Sequence, residues 1–208
     1  MEPAIGVRQN NRSGETMKIV GVCGSCRKDS NSEHLMKVAL EPFCREGMEV
    51  RIHKVGNLDL SPCCGCERCR KEGKCCIEDD IQYLYEDLYW TDAIVIASPV
   101  YYRNIPSKLA AIFERAYAYQ DNRPLEGKLG AAIAVGRGTG GGQSIVLSVI
   151  HNWLLSAGAL CVPGELNGLS AVADGPGDIL KDQRKLDQAI KLGGNLLRFS
   201  KIIFEKPK

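Results

Sequence analysis

The chain has 208 residues, with 27 Lys and Arg against 25 Asp and Glu, a formal net charge of +2. That balance gives no whole-molecule electrostatic argument for nucleic acid or an anionic membrane, and no apolar run approaches the length of a membrane span, so neither is expected as a partner. The length suits a domain that buries its core without disulfides, and the segment 1–16 is polar, unlike the apolar core of a secretory signal. It reads as a flexible leader before a domain at 17–204, and the expected location is cytoplasmic. The 10 cysteines then point to metal or redox chemistry, because cytosolic thiols are kept reduced.

In chain order, 17–23 (MKIVGVC) is a short β-branched apolar run, and 31–45 shows helical spacing through Leu35, Met36, Ala39 and Leu40. A strand therefore feeds a helix. Residues 48–55 alternate Val50 and Ile52 with Arg51 and His53 as a second strand, followed by a cysteine-rich irregular loop at 61–78. Asp79 and Asp80 cap a helix that runs to about Trp90, since carboxylates are favoured at a helix N-terminus. Segment 93–98 (AIVIAS) is a third strand, apolar on both faces as central parallel strands are. Then come a helix at 106–119, a fourth strand at 129–136, a helix at 143–157, a fifth strand at 159–162 and a last helix at 179–204. Such alternation predicts an α/β fold with a parallel sheet covered by helices on both faces. Ligands of such sheets bind beyond the carboxyl ends of the strands, which directs attention to the loops after strands one, three and four.

The first of these loops, 24–32, is dense in hydroxyl and amide donors and leads directly into a helix. Helix N-terminal amides, the hydroxyls of Ser25, Ser30 and Ser32, the Asn31 amide and the Arg27 guanidinium are the groups a phosphate monoester needs. The same Ser and Asn would also serve as an ordinary helix cap. Cys23 and Cys26 have the spacing of a CxxC redox pair, but Cys23 ends a buried strand. The loop resembles that of the NAD(P)H-dependent FMN reductase group of the flavodoxin-like superfamily, with its Gly-Ser-x-Arg-x-x-Ser-Asn-Thr pattern. Gly24, Ser25, Arg27, Ser30 and Asn31 match, and Ser32 stands where Thr is usual. The resemblance implies a three-layer sandwich with a five-stranded parallel sheet of order 2-1-3-4-5, and a loop that holds the phosphate of FMN. No second nucleotide-binding unit is visible, so FMN rather than FAD is expected.

After strand three, Pro99, Val100, Tyr101, Tyr102, Arg103 and Asn104 place two aromatics on a loop at the carboxyl edge. Tyr101 and Tyr102 would flank a flat ring or close the core; the family's Ser-Pro-x-Tyr-Phe/Tyr segment implies that the loop lines the isoalloxazine. Strand four runs into a glycine-rich loop containing Gly136, Gly138 and Gly141. Its literal G-x-G-x-x-G belongs to the fourth strand unit rather than the first, which argues against a dinucleotide fingerprint. Low side-chain bulk there lets backbone approach a planar ligand, and a similar Gly-Gly-Gln segment occurs in the iron-sulfur flavoproteins.

In 61–80 (SPCCGCERCRKEGKCCIEDD), Cys63, Cys66, Cys69 and Cys75 are separated by two, two and five residues. Four thiolates on so short a chain suit a 4Fe-4S cluster, a closed structural zinc site, or neither. The spacing equals the compact motif of the iron-sulfur flavoproteins, which implies the cluster. The doublets leave Cys64 and Cys76 as alternative ligands. Because 61–78 leaves from the carboxyl edge, a cluster is expected on the flavin side of the molecule. The resemblance covers 17–204 and implies a flavin-dependent oxidoreductase passing electrons between FMN and the cluster, with NAD(P)H or a carrier such as ferredoxin as partner, assembled as a homodimer or homotetramer. A cluster-free NAD(P)H-dependent FMN or quinone reductase, and a flavin carrier with a zinc loop, are the alternatives. His34, His53 and His151 lack ligand-like pairing, Trp90 and Trp153 read as core or interface, and Cys44 and Cys161 read as buried small hydrophobes.

Overall fold

The computed structural model describes residues 16–204. The expected leader at 1–16 lies, Thr16 apart, outside them. Strand β1 (Lys18–Cys23) feeds helix α1 (Asn31–Arg45), β2 (Glu49–Lys54) leads through the cysteine loop and a short α2 (Cys69–Glu72) to α3 (Ile81–Trp90), and β3 (Ala93–Pro99) feeds α4 (Ser107–Arg115). The chain continues through β4 (Leu129–Gly136), α5 (Gly142–Ser156), β5 (Leu160–Cys161), β6 (Leu169–Val172) and α6 (Gln183–Phe204). The strands pair in parallel in the order β2-β1-β3-β4-β5, as expected of a flavodoxin-like sheet.

The sheet has a sixth strand that sequence reading did not find. β5 covers only Leu129 and Gly130 at the start of β4, and β6 pairs Ile133 to Gly136 at its end, so two short strands share the position expected of one. The chain leaves the edge at Pro163 and returns after Gly168, whose φ of +146° suits glycine.

Period-two alternation in the central strands builds two cores. Ala93, Val95 and Ala97 face α1 and α6, packing with Leu35, Met36, Phe43, Leu192 and Leu196. Ile94 and Ile96 face the other layer, with Leu84 and Leu88 of α3, Leu109 and Ile112 of α4, and Ile150 and Leu154 of α5. Each such large side chain stabilises the fold by about 1.5–3 kcal/mol. A Cβ at Gly193 would stand 1.9 Å from the Ala39 carbonyl oxygen, so α1 and α6 meet backbone to backbone.

Three expectations change in detail. Asp80 is the N-cap residue of α3 but its carboxylate accepts from the Asp59 amide at 2.7 Å, and it is Asp79 Oδ1 that accepts from the Ile81 amide, at 3.2 Å. The helix expected at 106–119 tightens into a 3₁₀ turn after Arg115. Cys44 is exposed and Cys161 only half-buried, against the expectation of buried thiols. Among the described residues no helix is long and apolar enough to cross a membrane.

Candidate functional site

The loops after β1, β3 and β4 converge, as the sheet order requires, on a hollow of about 70 Å³. Ser25, Arg27, Ser30, Asn31 and Ser32 line it from the first loop, Pro99, Val100 and Tyr101 from the second, and Gly136 from the third. The first turn of α1 opens onto it, and its dipole and amides suit an anion. Ser30 is the N-cap, its Oγ accepting from the Glu33 amide at 3.1 Å. Ser25 Oγ accepts from the Arg27 amide at 3.2 Å, and the Arg27 side chain is exposed. The Asn31 side chain is engaged elsewhere: Nδ2 donates to the Gly175 carbonyl at 2.8 Å and Oδ1 accepts from the Ile179 amide at 3.1 Å. It tethers the start of α1 to the chain beyond β6.

That chain is a fourth wall that sequence reading missed. Ala173 and Pro176 line the hollow, as do Asp29 and Arg137, the latter paired with Asp174. Only the short alternation of Leu169 to Val172 signalled a strand whose carboxyl end would add a loop here.

Tyr102, Arg103, Asn104, Gly138 and Gly141 are not among the lining residues. Tyr101 and Asn104 exchange backbone hydrogen bonds of 2.8 and 2.9 Å, closing a turn in which Tyr102 and Arg103 have positive φ. The Tyr102 ring is fully exposed at the tip, and Arg103 reaches the Gly140 carbonyl, holding the second loop to the third. Gly141 caps α5 at φ +81°, a position that favours glycine. Gln143, buried at the start of α5, donates to the Gly138 carbonyl at 2.7 Å and the Ala171 carbonyl at 3.3 Å. A Cβ at Gly136 would stand 2.7 Å from the Gln143 Nε2, so the bare backbone of Gly136 is what lets Gln143 brace the loop.

Cys63, Cys64, Cys66, Cys69, Cys75 and Cys76 line a second hollow, of about 150 Å³, closed by Glu114, Arg115, Tyr117 and Ala118. Among the described residues no three Cys, His, Asp or Glu side chains stand together as an ion's ligand set. Even so, six sulfur donors share one concavity, a donor chemistry that fits a thiolate-ligated cluster or zinc. Cys66 and Cys76 are 3.4 Å apart at sulfur. The Arg68 backbone N–H and then the Cys76 thiol hold the Cys66 thiol below its ordinary value, and the same bond pushes Cys76 up. The Cys23 and Cys26 pair differs: Cys23 is wholly buried, its thiol pushed up by burial, while Cys26 is exposed.

The cysteine loop begins at the carboxyl edge, where a Cβ on Gly56 would stand 2.6 Å from the Cys26 Cα and Lys108 Nζ donates to the Leu58 carbonyl at 2.6 Å. It then descends along α4. The cysteine hollow meets the chain at 114–118, about 10 Å down the helix from its start, and shares no lining residue with the loop hollow. The cysteine run thus starts at the edge that carries the loop hollow and meets α4 further along, in a hollow of its own.

Residues 17–172 match the family model for NADPH-dependent FMN reductase. The chain belongs to that family. Within it the chain stands with the iron-sulfur flavoproteins. It is 32% identical over 191 residues to one from Methanocaldococcus jannaschii, covering 90% of this chain and 99% of that protein, and 37% identical over 147 residues to one from Methanosarcina thermophila, covering 70% and 77%. The fold is also that of an NAD(P)H:quinone oxidoreductase from Methanothermobacter marburgensis, at TM-score 0.69 and 17% identity over 88% of this chain and 96% of that one. This family member is a flavin-dependent oxidoreductase, an FMN redox protein of flavodoxin-like fold.

Proposed function

We propose that the loop hollow holds FMN and that the cysteine hollow holds a 4Fe-4S cluster, with one electron at a time passing between them. The observation that carries this reading is the gathering of six cysteines in one concavity of a chain whose family binds flavin. The relatives' name, iron-sulfur flavoprotein, supports it. Cys63, Cys66, Cys69 and Cys75 are the proposed ligands. FMN supplies both one- and two-electron chemistry, which lets a pair of electrons be split toward a one-electron partner.

The residues of the loop hollow divide the binding. Arg27 and the α1 amides take the phosphate, with Ser25, Ser30 and Ser32 as hydroxyl partners, and Asn31 fixes the loop that they sit on. Pro99, Val100, Tyr101 and the bare Gly136 bound the ring, while Tyr102, Arg103, Asn104, Gly138 and Gly141 shape the turns behind it. NAD(P)H or a small carrier such as ferredoxin is the proposed partner, the cytoplasm the proposed location, and a homodimer or homotetramer the proposed assembly.

Anaerobically purified protein should carry FMN with a broad additional absorbance, iron and acid-labile sulfide. Flavin without metal, together with NAD(P)H turnover, would instead establish the cluster-free reductase; zinc without sulfide would establish a structural site.

A further inference from the structure

Arg115 is the largest wholly buried side chain among the described residues, an unusual place for a permanent charge. Its Nη1 donates to the Asp79 carboxylate and, at 3.2 Å, to the Ser61 carbonyl; Nη2 donates to the Ile77 carbonyl at 3.0 Å. Ser61 and Ile77 flank the cysteine run, so these bonds tie both ends of the loop to the last turn of α4. They leave one edge of the guanidinium over. Its Nε is the one buried side-chain nitrogen or oxygen without a hydrogen-bond partner among the described residues. A buried N–H without an acceptor is costly, more so on a charged group, and the tethering role does not explain it. Arg115 lines the cysteine hollow, where the Cys75 thiol is its neighbour.

We propose that Arg115 is a positioning residue for the cluster, its Nε–H donating to the sulfur of Cys75 and its buried charge raising the cluster's reduction potential. The inference rests on the cluster reading above. Reduction adds one electron to a group already made negative by four thiolates. A fixed cation and an N–H···S bond, screened from water, therefore stabilise the reduced form more than the oxidised one. Arg68, Arg70 and Lys71 also lie near but are exposed, where solvent and salt screen them. Lysine would not replace Arg115, because a point charge cannot hold Asp79, Ser61 and Ile77 and still present an N–H on another edge.

The test is a redox titration with dithionite on anaerobically reconstituted wild-type protein, Arg115→Gln and Arg115→Lys, with iron, sulfide and FMN measured on each sample. The fully loaded Gln variant should show at least a tenfold fall in the reduced-to-oxidised ratio of the cluster at a given potential, about 59 mV for one electron, while the FMN potential stays. The Lys variant should shift less, keeping the charge and losing the Nε bond. A loaded Gln variant with the wild-type cluster potential, or an equal shift in FMN, overturns the proposal. If the Gln variant does not load, the Lys variant decides: an altered cluster potential with an unchanged FMN potential supports the proposal, and a wild-type cluster potential overturns it. Wild-type protein that takes up no iron and sulfide removes the cluster reading and this inference with it, whereas a loaded wild type with an insensitive potential removes the inference alone.

Discussion

The sulfur atoms of Cys66 and Cys76 lie 3.4 Å apart in a hollow that Cys63, Cys64, Cys69 and Cys75 also line. Cys66 is the proposed ligand of the pair and Cys76 the spare. At that separation, with the Arg68 amide holding the Cys66 thiol below its ordinary value, the two are placed for attack of one on an oxidised form of the other. Oxidation of cluster-free protein with diamide, which takes up the two electrons and two protons released, should therefore close Cys66–Cys76 before any other bond. Peptide mapping checks this. Cys76→Ser should abolish that disulfide and still accept iron and sulfide; a different first disulfide would show that the loop rearranges without its metal.

Arg27 is the one guanidinium of the first loop, and its backbone is already fixed by Ser25. Arg27→Ala should weaken FMN binding by about 1.5–3 kcal/mol, the usual worth of a hydrogen bond to a charged group. Fluorescence titration of FMN into apoprotein measures it. Thermal stability of the apoprotein should not change, because the side chain is exposed.

Gly136 and Gln143 make a second pair. Gly136→Ala should drive the Gln143 amide off the Gly138 and Ala171 carbonyls, leaving buried polar groups unpaired at about 1–3 kcal/mol. The expected outcome is a lower urea midpoint together with weaker FMN binding. Circular dichroism should stay native-like, since Gly136 is the last residue of β4 and the rest of the strand keeps its pairing.

Asp79 gives a pH dependence. Burial pushes its carboxyl up, but the Arg115 guanidinium and the amides of Ser61 and Ile81 outweigh that and hold it below its ordinary value. The native state therefore binds its proton less readily than the unfolded chain, and the stabilisation is fully present above the unfolded value of about 3.9. It is lost as pH falls through the lower folded value. Urea midpoints measured between pH 7 and pH 3 should fall less steeply at the acid end in Asp79→Asn, which should also be less stable at pH 7.

Helix α5 exposes Ile145 and Leu155, apolar positions that a second copy would cover. Light scattering at micromolar concentration should give a dimer or tetramer. Leu155→Glu should shift the distribution toward monomer.

Much of the fold was legible because its signals are local. Helix α1 and strand β4 begin and end where periodicity placed them, at 31–45 and 129–136, since both are continuous patterns bounded by clear breakers. β6 was not legible. Its alternating residues are few, Gly168 and Gly175 flank it, and only pairing with β4 makes it a strand. The role of Asn31 was hidden for the same reason, because its partners, Gly175 and Ile179, are distant in sequence.

The cysteine spacing and the donor-rich loop at the start of α1 are properties of a short stretch of chain, and the sequence alone determined them. From these, and from the alternation of strands and helices, the flavin family could be read directly. Tertiary structure alone decided which surface meets the cysteines. The loop's path down α4, and the meeting of Arg115 with Asp79 across 36 residues, follow from how helices α3 and α4 pack on the same face of the sheet. Side-chain burial at that seam is set by the packing of whole elements, and local patterning carries no record of it.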